Sequence, residues 1–476
     1  MINTLKTSWY EPIDKHVLAD AFMRLLICAS VAGVLIFSFM NLESLMRVTR
    51  SLCNTFWGTV FLTTGEILLV INLASFIWRV FLVWRYKPAP MCSHRKLPKC
   101  TVIVPAYNEG RHVMATLESL AASDYPAHKL QIIAVDDGSA DDTWYWIRTA
   151  AKKLKGKILP LKHTVNKGKR HALHTGFQQS TGDIVVTVDS DSIVEPQTLR
   201  RLVSPFVHDP KVGAVAGNVR VLNRHEGIIP RMMDVVFFYS FDFTRASQSM
   251  VNTVFCTPGA LSAYRTNLVR KVMDEWVAQT FWGEPANIGE DRAITNMILQ
   301  QGYHVHFQQD AVVYTNIPSK FKGLCRMFLR WERSNIRENI MMSGFAFKKF
   351  RDGSMLGARI NLLLSWLEMT VSQFFLGVTM WYLVQFPAAV TVNILIGTAV
   401  SSAVTMAFYF WKYKSADALL AFVYGIFWFV GLSWITPYSW LTINNSGWMT
   451  RQISVPKLQP QTQTLPQGLV LETVKG

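Results

Sequence analysis

Residues 25–42 carry no charged side chain, and residues 56–78 carry only Glu66. About 20 consecutive apolar residues are what an α-helix needs to cross a hydrocarbon core roughly 30 Å thick. Trp57, Trp78 and Trp84 lie near the ends of the second run, where interfacial rings anchor a span. Arg79, Arg85, Lys87, His94, Arg95, Lys96 and Lys99 follow, and this excess of cations places the next segment on the cytosolic side. The apolar character returns at 360–386 and 388–411, and Lys412 and Lys414 mark a second return to the cytosol. A last run, 418–443, is divided by Pro437, which disfavours helix at the residue before it. It reads as a pair of short segments that enter the membrane and turn back.

Composition agrees with this pattern. Charged residues make up 17% of the 476, against about 25% in an average soluble domain. The net charge of +16 sits in membrane flanks and in the stretches described next, so it does not point to nucleic acid. Six cysteines without a CxxC pair read as free thiols rather than as a zinc or disulfide framework.

Between the membrane runs, residues 98–320 alternate β-rich runs with helical patterns. A strand at 101–106 runs into Tyr107, Asn108, Glu109 and Gly110, with helical spacing from His112. A strand at 130–135 ends in Asp136 and Asp137, a third at 157–161 precedes Asn166-Lys-Gly-Lys-Arg170, and a fourth at 183–188 ends in Asp189 and Asp191. Four strand–helix repeats with polar clusters at the carboxyl ends of the strands predict a Rossmann-like parallel sheet with its ligand site at that edge. Neither GxGxxG nor GxxxxGK[ST] occurs, which argues against dinucleotide and P-loop sites.

Residues i and i+2 of an extended segment face the same side, so Asp189 and Asp191 converge. Two carboxylates ending an apolar strand incur a desolvation cost that a hard cation relieves, and Mg²⁺ or Mn²⁺ suits all-oxygen donors that bridge a diphosphate. Lys167, Lys169 and Arg170 form a cationic turn beside a helix start, suited to the same anion. His171 and His174, at i and i+3, read as packing or surface side chains. Gly289-Glu-Asp-Arg292 opens another helix, where a carboxylate either caps the helix or takes a proton from a sugar hydroxyl. From Phe321 two stripes run at helical spacing: Phe321, Leu324, Phe328 and Trp331, and Arg326, Arg330, Arg333 and Arg337. They predict an amphipathic helix lying in the membrane interface. Glu368, Ser365, Ser372 and Gln373 interrupt the span that follows, either as helix–helix hydrogen bonds or as a polar path.

These motifs, in this order, resemble the processive, inverting family 2 glycosyltransferases. Within that family the chain is most similar to hyaluronan synthases and also to rhizobial chitin-oligosaccharide synthases. The resemblance covers about residues 55–452 and rests on VPAYNE (104–109), DDGS (136–139), NKGKRHA (166–172), DSD (189–191), RASQS (245–249), CTPGALSAYR (256–265), GEDR (289–292), RWERSNIRE (330–338) and PYSWLTINNSGWMTR (437–451). It implies an α/β GT-A-like cytosolic domain inserted between transmembrane helices. The expected boundaries are an N-terminal membrane region with two helices at 1–97, the catalytic domain at 98–317, interfacial helices at 318–358, a C-terminal membrane bundle with a gating segment at 359–452, and a flexible tail at 453–476.

The resemblance further implies roles. Tyr107, Glu109 and Asp137 would hold the uridine, and Lys167 and Arg170 the nucleotide. Asp189 and Asp191 would bind donor and metal, and Asp291 would be the catalytic base. Cys256, Thr257 and Gly259 would line the acceptor site with Arg330 and Trp331, and Trp448 and Arg451 would belong to a segment closing over the donor. The implied partners are a UDP-sugar, a growing polysaccharide and membrane lipid, in the plasma or inner membrane. UDP-GlcNAc is the expected donor, with UDP-GlcA as well for a hyaluronan synthase. Two positions depart from the family pattern: Met327 stands where Gln is expected, and Met449 where Gly is expected. A non-processive transferase acting on a lipid carrier is the competing enzyme reading. A channel with a nucleotide-sensing domain leaves Asp189, Asp191 and Asp291 unexplained.

Overall fold

The computed structural model describes residues 42–445, together with Leu25, Ala29, Gly33, Ile36, Phe39 and Met40. Most of the expected first span, Trp448, Arg451 and the 453–476 tail lie outside the described residues. The chain divides into two units.

The first unit contains the described residues before 78, with 231–239 and 371–433. Three helices of this chain are long and apolar enough to cross a membrane: Phe56–Arg85, Leu356–Gln385 and Pro387–Tyr413. Leu69, Val70 and Ile77 on the first are exposed, the arrangement of a helix whose apolar surface faces lipid. The chain is thus a multi-pass membrane protein. The 418–443 run is broken into two helices, Ala416–Leu432 in this unit and Ile435–Leu441 in the second. Inside the unit, Phe61 stacks on Phe375 with ring centroids 4.8 Å apart. The Tyr409 hydroxyl donates to Asp234 (3.0 Å), and Arg231 pairs with buried Asp417.

The second unit is built on an eight-stranded sheet. Its strands are β1 (Cys100–Ala106), β2 (Leu130–Asp136), β3 (Ile158–Lys162), β4 (Ile184–Val188), β5 (Ile193–Val194), β6 (Val212–Val221), β7 (Leu261–Arg265) and β10 (His304–Thr315), with β8 (Thr280–Phe281) and β9 (Glu284–Pro285) as a separate hairpin. The order is β3-β2-β1-β4-β7-β6-β10-β5. Every residue of β1, β4 and β6 is buried, as in a sheet covered on both faces. The helices used below are α1 (His112–Ala121), α2 (Thr143–Lys153), α3 (Lys169–Gln178), α4 (Thr198–His208), α5 (Thr266–Val277), α6 (Glu290–Gln300), α7 (Phe321–Ala346), α8 (Leu356–Met369) and α9 (Ile435–Leu441).

The fold is GT-A-like, and its sheet is mixed rather than purely parallel. β7 runs antiparallel to both β4 and β6, and β5 antiparallel to β10. The reason lies in the loop before β7. Residues 256–260 reach the carboxyl edge of β4, so the strand they feed has to run away from that edge.

Candidate active site

The loops after β1 and β2 are stapled together. Asn108, with φ of +53°, donates its N–H to Ser139 Oγ (3.0 Å), and its Oδ1 accepts from the Ala140 N–H (2.9 Å). The Glu109 and Gly110 N–H groups both donate to Thr143 Oγ1 at the start of α2 (2.8 and 2.9 Å). Asp137 is buried and fully engaged. It pairs with His163 Nδ1 (2.8 Å) and accepts the Lys167 and Gly168 N–H groups (3.1 and 2.7 Å). It therefore holds the 166–168 turn in place, while Tyr107 and Glu109 remain partly open beside it.

The end of β4 meets the starts of α3 and α6. Lys169 Nζ lies 2.6 Å from Asp189 Oδ1 and 3.1 Å from Glu290 Oε1. Asp191 Oδ1 accepts from Thr315 Oγ1 (3.1 Å), at the end of β10. The Asp189 side chain is 32% exposed, so these are open, hard-oxygen donors at a strand end, a set that fits Mg²⁺ or Mn²⁺.

Asp291 stands next to Glu290 in the first turn of α6. Its Oδ2 accepts from the Gly259 N–H (3.2 Å) and contacts Cys256 Sγ (3.6 Å), and its Oδ1 accepts from the Arg292 N–H (2.8 Å). Burial, then the Glu290 charge, push its carboxyl above the ordinary range, and Lys169 pulls the other way. Burial also opposes ionisation of Glu290, but Lys169 and Arg330 outweigh it and hold that carboxyl low. Of the two adjacent carboxyls, Glu290 is thus shifted toward its anion and Asp291 toward the stronger base. Burial, then Asp291, push the Cys256 thiol up to about 12, so it is a neutral neighbour.

Two glycines permit this crowding. A Cβ on Gly259 would come within 2.6 Å of Lys169 Nζ. Gly289 has φ of +79°, and a Cβ there would meet Ser334 Oγ of α7 at 2.1 Å. α7 is thus pressed against the start of α6, which brings the Arg330 charge to Glu290 and Asp291. Trp331 is 36% exposed, edge-on to Phe328.

Several residues singled out from sequence lie apart from this cluster. Arg170 is buried beneath it. Its Nη1 donates to Trp276 O and Gln279 Oε1 (2.9 Å), and its guanidinium lies 5.1 Å from the Trp276 ring, fastening α3 to α5. Thr257 is fully buried and bonded to Tyr264 and Thr295 (2.8 and 2.7 Å). Met327 is buried as well. The Arg stripe of α7 splits. Arg326 and Arg330 stay partly exposed, but Arg333 and Arg337 are buried, bonded to Thr442 Oγ1 (2.8 Å) and to Ile443 O (2.8 Å) just after α9. These two cations face protein instead of headgroups: Arg337 supplies a donor to the Ile443 carbonyl beyond the end of α9, and Arg333 one to the Thr442 hydroxyl. Lys169, part of the cationic turn expected from sequence, and Glu290, given no role of its own there, carry the charge balance of the site.

A mixed sheet with an acidic strand end, a cationic turn and a carboxyl-bearing helix start defines a GT-A-like glycosyltransferase domain. Comparison with known proteins agrees. Residues 98–334 match the family described as glycosyltransferase like family 2. The chain therefore carries a membrane-associated family 2 glycosyltransferase domain. It is 34% identical over 248 residues to an N-acetylglucosaminyltransferase of Bradyrhizobium diazoefficiens, covering 52% of this chain and 50% of that one. It is 31% identical over 277 residues to a hyaluronan synthase of Streptococcus pyogenes, covering 57% of this chain and 65% of that one. The match thus spans about half to two-thirds of these relatives' length. Among solved structures, a mannosyltransferase of Pyrobaculum calidifontis in complex with GDP-Man and Mn²⁺ superposes with a TM-score of 0.53, at 24% identity, over 76% of this chain and 98% of that one. At that identity the likeness concerns the fold.

Proposed function

We propose that this protein is a processive, inverting β-glycosyltransferase that polymerises sugar from UDP-sugar at the cytosolic face of the plasma or inner membrane and exports the product. The observation that carries the reading is the Asp291 carboxyl. It is half-buried, raised above the ordinary carboxyl range, hydrogen-bonded to the Gly259 N–H, and adjacent to Glu290, which Lys169 joins to Asp189. This arrangement supports a reading in which Asp291 is the proton acceptor and Asp189 and Asp191 are the donor-binding acids.

In this reading the acceptor hydroxyl attacks the anomeric carbon as Asp291 takes its proton, and UDP leaves in the same displacement. One base suffices, and an α-linked donor gives a β-linked product. Asp189 and Asp191 are the residues that would hold Mg²⁺ or Mn²⁺, whose charge neutralises the departing diphosphate. Lys167, Lys169 and Arg330 add fixed positive charge around it. Tyr107, Glu109 and Asp137 would border the uridine, with Arg170 supporting the turn beneath. Cys256, Gly259 and Trp331 would border the acceptor, with Thr257 buried behind them and bonded to Tyr264 and Thr295. Trp448 and Arg451 would belong to a segment closing over the donor. UDP-GlcNAc is the donor we expect, because the relatives with printed activities include an N-acetylglucosaminyltransferase and a hyaluronan synthase. A chitin-like oligosaccharide is the product if it is the single donor, and hyaluronan if UDP-GlcA is needed too.

A screen of radiolabelled UDP-sugars, alone and in pairs, with product sizing and digestion by linkage-specific glycosidases, tests the assignment. Asp291→Asn should bind UDP-sugar and form no polymer. Normal turnover in that variant would remove Asp291 from the chemistry.

A further inference from the structure

Asp209, His304 and His306 present ligand atoms that all lie within 4.8 Å of one another. They belong to the end of the sheet away from the acidic cluster. His304 pairs with Val212 at the start of β6, whereas Thr315, at the other end of β10, bonds Asp191. Eleven residues of strand separate the two places, on the order of 30 Å at about 3.3 Å per residue.

The local chain prepares the three groups. Asp209 follows α4, and its Oδ1 accepts the Lys211 N–H (2.8 Å), which leaves Oδ2 toward His304. The His304 N–H in turn donates to Lys211 O (2.8 Å). His306 Nε2 is 2.8 Å from Asn252 Oδ1, which fixes one tautomer and leaves the other ring nitrogen its lone pair. The two imidazoles stack at 5.9 Å. His304 Nδ1 is buried without a hydrogen bond, and its separation from Asp209 Oδ2 is 3.5 Å. That is long for N–H···O. It is close to the spacing of about 3.3 Å between two ligands held tetrahedrally at roughly 2.0–2.1 Å from one zinc ion.

We propose that Asp209, His304 and His306 form a second metal site, separate from the catalytic acids, that takes a Zn²⁺-class transition ion. Two imidazoles and one carboxylate favour such an ion over Mg²⁺. Three protein ligands leave a position for water or a further donor. Bound there, the ion clips the 209–211 turn to the start of β10. Arg351 and Lys211 are the nearby cations that oppose an ion. Arg351 spends its N–H groups on Asn252 O, Thr253 Oγ1, Val251 O and Ser354 O, which fixes it in place.

The test uses the full chain without a histidine tag, stripped with chelator in detergent and titrated with Co²⁺ alone. One equivalent with visible d–d absorption, displaced by Zn²⁺, is expected. The band should persist in the Asp189→Asn/Asp191→Asn variant and vanish in His304→Ala/His306→Ala. Asn252→Gly, which tolerates the positive φ of that position, should weaken Co²⁺ about 10- to 100-fold. Absence of the band in the wild type, its survival without both histidines, or its loss with the two aspartates alone would each overturn the proposal. Circular dichroism matching the wild type shows that a variant without the band is folded.

Discussion

Lys169 and Asp189 are bound to each other across the mouth of the site, Nζ to Oδ1 at 2.6 Å, and the same ammonium reaches Glu290 at 3.1 Å. One cation thereby holds together the end of β4 and the start of α6. Any ion that Asp189 binds has to share this carboxylate with Lys169. Lys169→Met should lower kcat by about 10²–10³, the usual cost of removing one preorganised charge. Steady-state kinetics with Mn²⁺ in excess will check it, and an unchanged kcat would remove Lys169 from the charge balance.

The Glu290–Asp291 pair predicts a pH signature. Asp291 must be ionised to accept a proton, so kcat/KM falls as pH drops through its raised pKa. Glu290→Gln removes a like charge and should move that acid limb to lower pH. Lys169→Met removes an opposing charge and should move it to higher pH. The pH profiles of the two variants shift in opposite directions if Asp291 is the base, and together or not at all if it is not.

The same shift sets a stability expectation. A carboxyl whose folded pKa exceeds its unfolded value favours the native state when protonated. That contribution is lost as pH rises from about 3.9 through the raised value. At neutral pH Asp291 is therefore a cost to folding, and Asp291→Asn should melt at the same or a higher temperature while polymer formation disappears. A large drop in melting temperature would make the loss of activity uninformative about chemistry.

What could be read in the sequence follows from periodicity. Strand ends carrying Asp136, Asp137, Asp189 and Asp191 were legible because a run of two-sided apolar residues stops where the acids begin. The choice between Lys169 and Arg170 was also written there. Arg170, Leu173 and Phe177 fall at i, i+3 and i+7, on the face of α3 that packs inward. Lys169, about 100° away, faces the site. Position 170 was misleading because guanidinium chemistry suits phosphate and an internal carbonyl equally well. The antiparallel β7 and the Asp209–His304–His306 cluster were not legible, since both depend on non-local pairing of strands.

Gly289 offers a test of how tightly α7 must sit. Gly289→Ala places a Cβ in the left-handed region and against Ser334. Strain of roughly 1–3 kcal/mol is expected. The melting temperature should fall, and activity should fall further than stability alone accounts for, because Arg330 moves with α7. Ser334→Gly added to Gly289→Ala should recover part of the loss by removing the clashing hydroxyl. No recovery would place the cost in the backbone angle alone.

Arg337 ties α7 to the residues that follow α9. Its Nε and Nη2 donate to Ile443 O, and Arg333 donates to Thr442 Oγ1, one turn apart on α7. Arg337→Met keeps the side chain's bulk and leaves a buried carbonyl without its donor, at about 1–3 kcal/mol. α9 and residues 442–443 should loosen while the sheet and the acids stay in place. If the segment beyond 445 closes over the donor, this variant should bind UDP-sugar as the wild type does, turn over more slowly and release shorter chains. Equilibrium binding of labelled UDP-sugar beside product sizing on a gel separates these effects. Product length equal to the wild type's at a reduced rate would show that the α7–α9 contact serves stability and not closure.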